Sequence, residues 1–501
     1  MVLMPAKSSG TSKPYLHFIG GNAASVTCSC TIVRFDNIKL AVDMGLIQTN
    51  NLVSDYRANR DQMKKIKPKT VHGVIITHLH ADHCLGLLAA AAMGMQAYIY
   101  IPQGSIPILK IMMDDCIKIM AQDSLKMQNK HGIKAPPLAT EADIDKVMQW
   151  IVEVPFGIPT TIVGGAKLTY YHAGHIIHSA QAMLEIKQGY SIKRIGFTGD
   201  FNTEAKSVSV PPIEPLPRCN VVVGECTYSD PTRCYSMKKD RWYDEQIINA
   251  AICQYNRILM PAFSLQRVED ILDVLWRTRA TEHKIDGQMI PVYLDSPLAC
   301  RIYRAWSEQL DYEDKLNLRL IESWEESQAI QQSNERAIIV ASSGMLNAGR
   351  ALAHLKYILP NSRNAVLFSG YASPNTLAYE IKHGAKEIML DGEMIQNNAQ
   401  IYCLNTFSSH ANYNQLMQYY QNIDYDKLCL VHSEFSSKVE FSNTLQDGGT
   451  YIIRFKESVK REDAEEWMKF LRLILLGRNI RLLPEFPHFF EIVGEATEKN
   501  K

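Results

Sequence analysis

Val74-Ile-Ile-Thr77-His78-Leu-His80-Ala-Asp82-His83 is a short apolar run that ends in three histidines and one aspartate within six residues. The whole chain has only 15 histidines in 501 residues, so the cluster is not a by-product of composition. Neutral imidazole is a preferred zinc ligand and carboxylate complements it. A loop after a strand can turn His78 and His80 toward one ion, and Asp82 and His83 toward a second. The bland alternative is a histidine-rich surface turn.

Five more apolar runs close in the same way. Ile38–Val42 runs into Asp43, Leu168–Tyr171 leads to His172 and His175, Arg194–Gly199 runs into Asp200, Val221–Gly224 into Glu225, and Leu428–Val431 into His432. Polar residues that merely mark turns would explain one or two cases, usually with Asn, Gly or Ser. In layered α/β folds, chemistry collects at the carboxyl ends of strands. Between these runs lie helical stretches, so the fold class read from the pattern is α/β.

Composition sets the remaining bounds. Lys+Arg and Asp+Glu are both 53, and 46% of residues are hydrophobic against 21% charged, which excludes wholesale disorder and collagen-like repeats. Zero net charge excludes coating of nucleic acid by bulk electrostatics but leaves room for a local basic groove. The longest small-apolar stretch, Gly86 to Gly94, is too short to cross a membrane, and no signal peptide is expected. Eleven cysteines, an odd number without a CxxC pair, read as reduced thiols and a cytoplasmic location.

With its buried strand, the first stretch resembles the HxHxDH signature of the metallo-β-lactamase fold. The resemblance implies that His175, in His172-Ala-Gly-His175-Ile-Ile-His178, is the third histidine on the first ion, with His172 and His178 as competitors. It implies that Asp200, in Thr-Gly-Asp-Phe-Asn202, bridges both ions. Asp43, in Val-Asp-Met-Gly45, matches the acid that orients the metal-binding loop.

Glu225 in Gly-Glu-Cys-Thr-Tyr228, His410 in Phe407-Ser-Ser-His-Ala-Asn412 and His432 in Val431-His-Ser-Glu434 resemble motifs A, B and C of the β-CASP nucleases. Pro261-Ala-Phe-Ser-Leu-Gln-Arg267, Tyr293-Leu-Asp-Ser-Pro297 and Gly349-Arg-Ala-Leu-Ala-His354 agree with that family. The resemblance covers roughly residues 15 to 454 and is closest to the RNA-degrading members, similar to the cleavage endonuclease of mRNA 3′-end processing. Cys226, Ser229, Asn412 and Ser433 depart from the usual pattern, without removing a metal ligand.

The resemblance implies a zinc-dependent ribonuclease that hydrolyses RNA phosphodiester bonds with two metal ions and leaves 5′-phosphate and 3′-hydroxyl ends. His78, His80 and His175 hold one Zn2+, Asp82, His83 and His432 the other, and Asp200 both; Mn2+ is the expected substitute. His410 is the general acid, with Glu225 orienting it. Ser342, Ser343 and Gly344, together with Arg350 and His354 one helical turn apart, are read as RNA phosphate contacts. Against this, the latter five also fit a plain strand–turn–helix joint with a packed histidine. A DNA nuclease of the same fold and a thioester or lactone hydrolase are the rival readings.

The expected architecture is a four-layer αββα metallo-β-lactamase domain with an inserted β-CASP α/β domain. A flexible tail spans 1–14 and the first domain's pieces span 15–225 and 395–454. The insert spans 226–394, and a C-terminal extension 455–501 contains an amphipathic helix at 465–476. RNA is the expected partner, with a homodimer admitted and no membrane.

Overall fold

A computed structural model describes residues 14–20, 27–49, 51–204, 207, 209–232, 237–278, 282, 287–306, 312–433, 435–445, 450–454, 479–483 and 486–493. The expected tail, apart from Pro14, and the expected helix at 465–476 lie outside the described residues. The chain forms two compact units, one of residues 1–203, 211–234 and 410–501, the other of residues 204–210 and 235–409.

The first unit is built on two sheets. The first has six strands in chain order: Tyr15–Phe18, Thr31–Phe35, Ile38–Val42, Gly73–Ile75, Tyr98–Pro102 and Ile151–Val154. From Ile38–Val42 onward they run parallel. The second sheet has nine strands, and at its centre Ser191–Phe197, Cys219–Glu225 and Tyr425–Val431 lie side by side and parallel. Leu40, Ile75 and Tyr100 of the first sheet meet Leu168, Leu184, Phe197 and Val223 of the second in one core. Each such side chain, fully buried, contributes roughly 1.5–3 kcal/mol.

Helices complete the four layers. Leu416 and Tyr420, from the helix Tyr413–Asn422, pack on Val222 and Leu428 of the second sheet. Leu52–Ile66, Gly86–Ala92, Ile106–His131 and Glu141–Met148 pack on one another in a helical layer beside the first sheet's strands in the chain. Lys39 links that layer to the sheet: its ammonium donates to the carbonyl of Ile66 at a helix end, and burial pulls its pKa down to about 8.

The second unit is a doubly wound parallel sheet. Its strand order is Leu318–Ile321, Val292–Asp295, Ala337–Ala341, Arg257–Pro261, Asn364–Phe368 and Gln400–Cys403. All adjacent pairs are parallel. Strands buried on both faces read as continuous apolar runs, and Ile338-Ile-Val-Ala341 is one. Ile338 and Val340 point to the face covered by Met237–Gln254, Arg267–Arg277 and Pro297–Trp306; Ile339 and Ala341 point to the face covered by Arg350–Ile358 and Leu377–Lys382. Gln400–Cys403 is the edge strand of this sheet, so the chain returns to the first unit only at His410.

Candidate metal centre

Ile38–Val42 and Gly73–Ile75 run parallel with Val42 beside Ile75, so Asp43 and the loop from Ile76 to His83 emerge at the same sheet edge. The Asp43 carboxylate accepts from the Thr77 N–H at 2.8 Å, from the Thr77 hydroxyl at 2.9 and 3.1 Å, and from His83 Nδ1 at 2.8 Å. That bond turns His83 Nε2 away from Asp43 and toward the site. Asp82 and His83 lie on a single helical turn, Ala81–Cys84. The turn sits so close to Gly45 that a Cβ there would lie 1.6 Å from the Asp82 carbonyl oxygen. Glycine in Asp-Met-Gly45 is therefore a steric requirement.

The second sheet supplies the other groups. His175 lies in the turn between Lys167–His172 and Ala180–Gln188, and its N–H donates to Ser179 Oγ at 3.1 Å. Asp200 follows Ser191–Phe197. The parallel register sets Glu225 beside Val431, so Glu225 and His432 emerge together.

These side chains converge. His80 Nδ1 lies 3.2 Å from His78 Nε2 and 3.1 Å from His175 Nε2. Asp200 Oδ2 lies 3.4 Å from His83 Nε2, 3.6 Å from His78 Nε2 and 3.8 Å from His175 Nε2. His432 Nε2 is 3.4 Å from Asp82 Oδ2. Three overlapping groups thus have the proximity a metal ion requires: His78, His80, His175 and Asp200; Asp82, His83 and His432; and Asp200, Glu225, His410 and His432.

The electrostatics suit cations. Burial pushes His78 well below its usual pKa and His80 down to about 4, so both offer neutral nitrogens at pH 7. Burial alone would raise Asp200, but the imidazoles of His432 and His83 outweigh it and hold the carboxyl well below its usual range. Burial would lower His83, yet Asp200, Asp43 and Asp82 outweigh it and raise the imidazole well above its usual value. Among the described residues, no lysine or arginine ion pair reaches these three carboxylates. Asp200 Oδ1 is buried without a hydrogen-bond partner, which is costly unless something positive fills its place. Imidazole and carboxylate donors, a negatively charged pocket and an orphaned oxygen all fit zinc, and manganese accepts the same donors.

Beside this centre stands a carboxylate–imidazole pair. His410 Nδ1 lies 3.2 and 3.1 Å from the two Glu225 oxygens. Glu225 Oε1 also accepts the Phe201 N–H at 2.7 Å. The His410 backbone is tied down by Asn202 Nδ2 on its carbonyl, at 3.0 Å, and by the Ala411 N–H on the Phe201 carbonyl, at 2.8 Å. Asn412, one of the departures, caps the next helix: its Oδ1 accepts the Gln415 N–H at 3.1 Å. The other departures pack on one another. Ser229 and Ser433 hydroxyls lie 3.1 Å apart, and the Cys226 thiol, which burial pushes up to about 12, donates to the Val431 carbonyl.

Sequence reasoning missed Thr227. Its hydroxyl donates to Glu225 Oε2 and lies 2.9 Å from His432 Nδ1. With the single hydroxyl proton on the carboxylate, His432 Nδ1–H is the donor to Thr227, and His432 Nε2 faces Asp82 Oδ2 at 3.4 Å. Ser29 was missed too; its Oγ lies 3.2 Å from His83 Nε2. No spacing signal marks a lone hydroxyl, although Thr227 does lie inside a recognised motif.

His172 and His178 fall outside all three of these groups. His172 stacks on Phe156 with ring centres 4.0 Å apart, and His178 packs its ring against Gly104. In the second unit, Ser342, Ser343 and Gly344 follow the strand Ala337–Ala341. Arg350 and His354 share a helix face and one partner: Arg350 Nη1 lies 2.6 Å from Asp295 Oδ1 and His354 Nε2 2.7 Å from Asp295 Oδ2. Arg350 also donates to the carbonyls of Ile321 and Glu322.

Three family models match the chain: the metallo-β-lactamase superfamily over 54–92, the Beta-Casp domain over 266–381, and a Zn-dependent metallo-hydrolase RNA specificity domain over 394–454. A ribonuclease of Thermus thermophilus is 26% identical over 88% of this chain and 98% of its own length. An RNase J-like protein of Methanocaldococcus jannaschii is 25% identical over 86% and 95%. The transcription termination factor FttA is 26% identical over 86% of this chain and 68% of its own length in M. jannaschii; in Thermococcus kodakarensis this chain spans 59% of it. A solved Enterococcus faecalis protein of unknown function shares the fold, with a TM-score of 0.50 and 11% identity, covering 85% of this chain and 95% of that one. The chain belongs to the β-CASP metallo-hydrolases of the metallo-β-lactamase superfamily.

Proposed function

We propose that this chain is a two-metal ribonuclease that hydrolyses RNA phosphodiester bonds to 5′-phosphate and 3′-hydroxyl ends. The observation that carries the reading is the buried Asp200 carboxylate, ringed by imidazoles with one oxygen unpartnered, beside the Glu225–His410 pair. The ribonuclease relative matches over 98% of its length, the termination factors over less, which favours RNA cleavage as the shared activity.

His78, His80 and His175 would hold one zinc, Asp82, His83 and His432 the other, and Asp200 both, with manganese as substitute. Such ions supply Lewis-acid charge for phosphoryl oxygens and bring the pKa of a water toward neutrality. The chain's own groups do the rest. Asp43 fixes the His83 tautomer, and Thr227 fixes that of His432. Glu225 holds His410 Nδ1–H, so His410 Nε2 is the atom that gives a proton to the leaving 3′ oxygen, which explains a 3′-hydroxyl product. A general acid of this kind contributes about 10²–10⁴-fold. Ser342, Ser343 and Gly344 serve as phosphate contacts; Arg350 and His354, expected to share that role, are instead engaged by the buried Asp295.

The test compares wild type with His410→Ala on 5′-labelled single-stranded RNA, matched DNA and a thioester. The proposal expects RNA cleavage with 3′-hydroxyl ends and a loss of at least about a hundredfold in the variant. Thioester turnover that survives His410→Ala, with no RNA cleavage by wild type, would favour the acyl-hydrolase rival.

A further inference from the structure

We propose that Phe263 is a base-stacking surface for single-stranded RNA, placed beside the Ser342-Ser343-Gly344 turn so that one nucleotide lays its base on the ring and its phosphate on the turn. The inference rests on the ribonuclease reading and deepens it.

Phe263 lies just past the strand Arg257–Pro261, at the carboxyl edge of the second unit's parallel sheet, where ligands collect in such sheets. It is 40% exposed, while its neighbour Ala262 is buried and donates to the Ala341 carbonyl at 2.9 Å. The backbone is thus fixed and the ring held outward. Two glycine-bearing turns approach that ring. A Cβ at Gly344 would lie 3.4 Å from both Phe263 Cδ2 and Cε2, and one at Gly370 would lie 4.0 Å from Cε2. Both turns flank the ring without side chains of their own at these positions, and the ring keeps its 40% exposure between them.

Polar groups suited to a phosphate stand at the same edge. Ser342 Oγ lies 2.9 Å from Ser296 Oγ, and Ser264 Oγ 3.4 Å from it, so hydroxyls from three strand ends meet. Arg267, donating to the Ser369 carbonyl, sets a guanidinium against Gly370. Hydroxyls and a glycine turn allow close approach of a phosphate. An outward aromatic ring offers a face on which any base stacks, with little preference among sequences.

The experiment uses the full chain carrying Asp200→Asn to suppress cleavage, and reads the binding of fluorescein-labelled single-stranded RNA by anisotropy. A second RNA has the same backbone with abasic sites. Phe263→Ala and Phe263→Leu are each expected to weaken binding of normal RNA roughly tenfold, and Phe263→Trp to restore it. Abasic RNA should bind the parent weakly and lose nothing further in Phe263→Ala. The leucine variant keeps an apolar side chain in place if the alanine variant does not fold. Equal affinity of parent and leucine variant for normal RNA would overturn the inference while leaving the ribonuclease reading intact, as would an undiminished loss on abasic RNA. No RNA binding by the parent at all would remove the ribonuclease reading first, and this inference with it.

Discussion

Thr227 joins the two halves of the catalytic reading, because one hydroxyl touches both Glu225 and His432. Partners behind a metal-binding histidine typically account for 10–100-fold in metal affinity. Thr227→Val, which keeps the shape and deletes the hydroxyl, is expected to weaken retention of one of the two ions by about that factor, read by equilibrium dialysis with metal analysis. Unchanged retention of both ions would contradict the assigned His432 tautomer. At this scale the sequence was informative wherever a side chain closes an apolar run: His78, Asp200, Glu225 and His432 each do so. Thr227 and Ser29 carry no such mark. Their importance lies in which atom stands 2.9 or 3.2 Å away, and that depends on strands far apart in the chain.

At the scale of elements, strand ends were legible and their cross-partners were not. Arg350 and His354 were expected on one helix face, and they are. What they meet there, Asp295, ends a strand some 55 residues earlier. Asp295 and His354 are fully buried and Arg350 nearly so. Asp295→Ala leaves a buried arginine without its carboxylate, a change that costs about 3–5 kcal/mol. A clear fall in the urea midpoint is expected; an unchanged midpoint would contradict the network. Helix Arg267–Arg277 carries a second prediction. Glu269 is buried, and burial outweighs the backbone N–H groups of Gln266 and Glu269 beside it and pushes its carboxyl from 4.5 up to about 8. The folded state therefore keeps the proton longer than the unfolded chain. The stability this permits is full below pH 4.5 and is lost as pH rises through about 8. Glu269→Gln should match wild type in Tm near pH 4.5 and gain a growing advantage up to pH 8. A difference independent of pH would contradict a protonated Glu269.

For the whole molecule, the alternation of strands and helices made the α/β class legible, and the spacing of His, Asp and Glu pointed to the residues that the structure gathers into a candidate metal centre. The division into units was less so, because Gln400–Cys403 is bound to the second unit by pairing with Asn364–Phe368, and strand pairing across such a distance has no local signature. A centre that holds three carboxylates against imidazoles should also be held together by its ions. Chelation is expected to lower the Tm, and added zinc to restore it in proportion to the logarithm of its concentration. The most direct test of the account compares wild type with the Asp82→Ala, His83→Ala double variant on 5′-labelled single-stranded RNA, supplied with zinc or manganese and resolved by product length. The account predicts that wild type cuts RNA, that the variant does not, and that the variant binds fewer ions. Equal cleavage by both proteins, or no cleavage by a wild type shown to carry two ions, would contradict it.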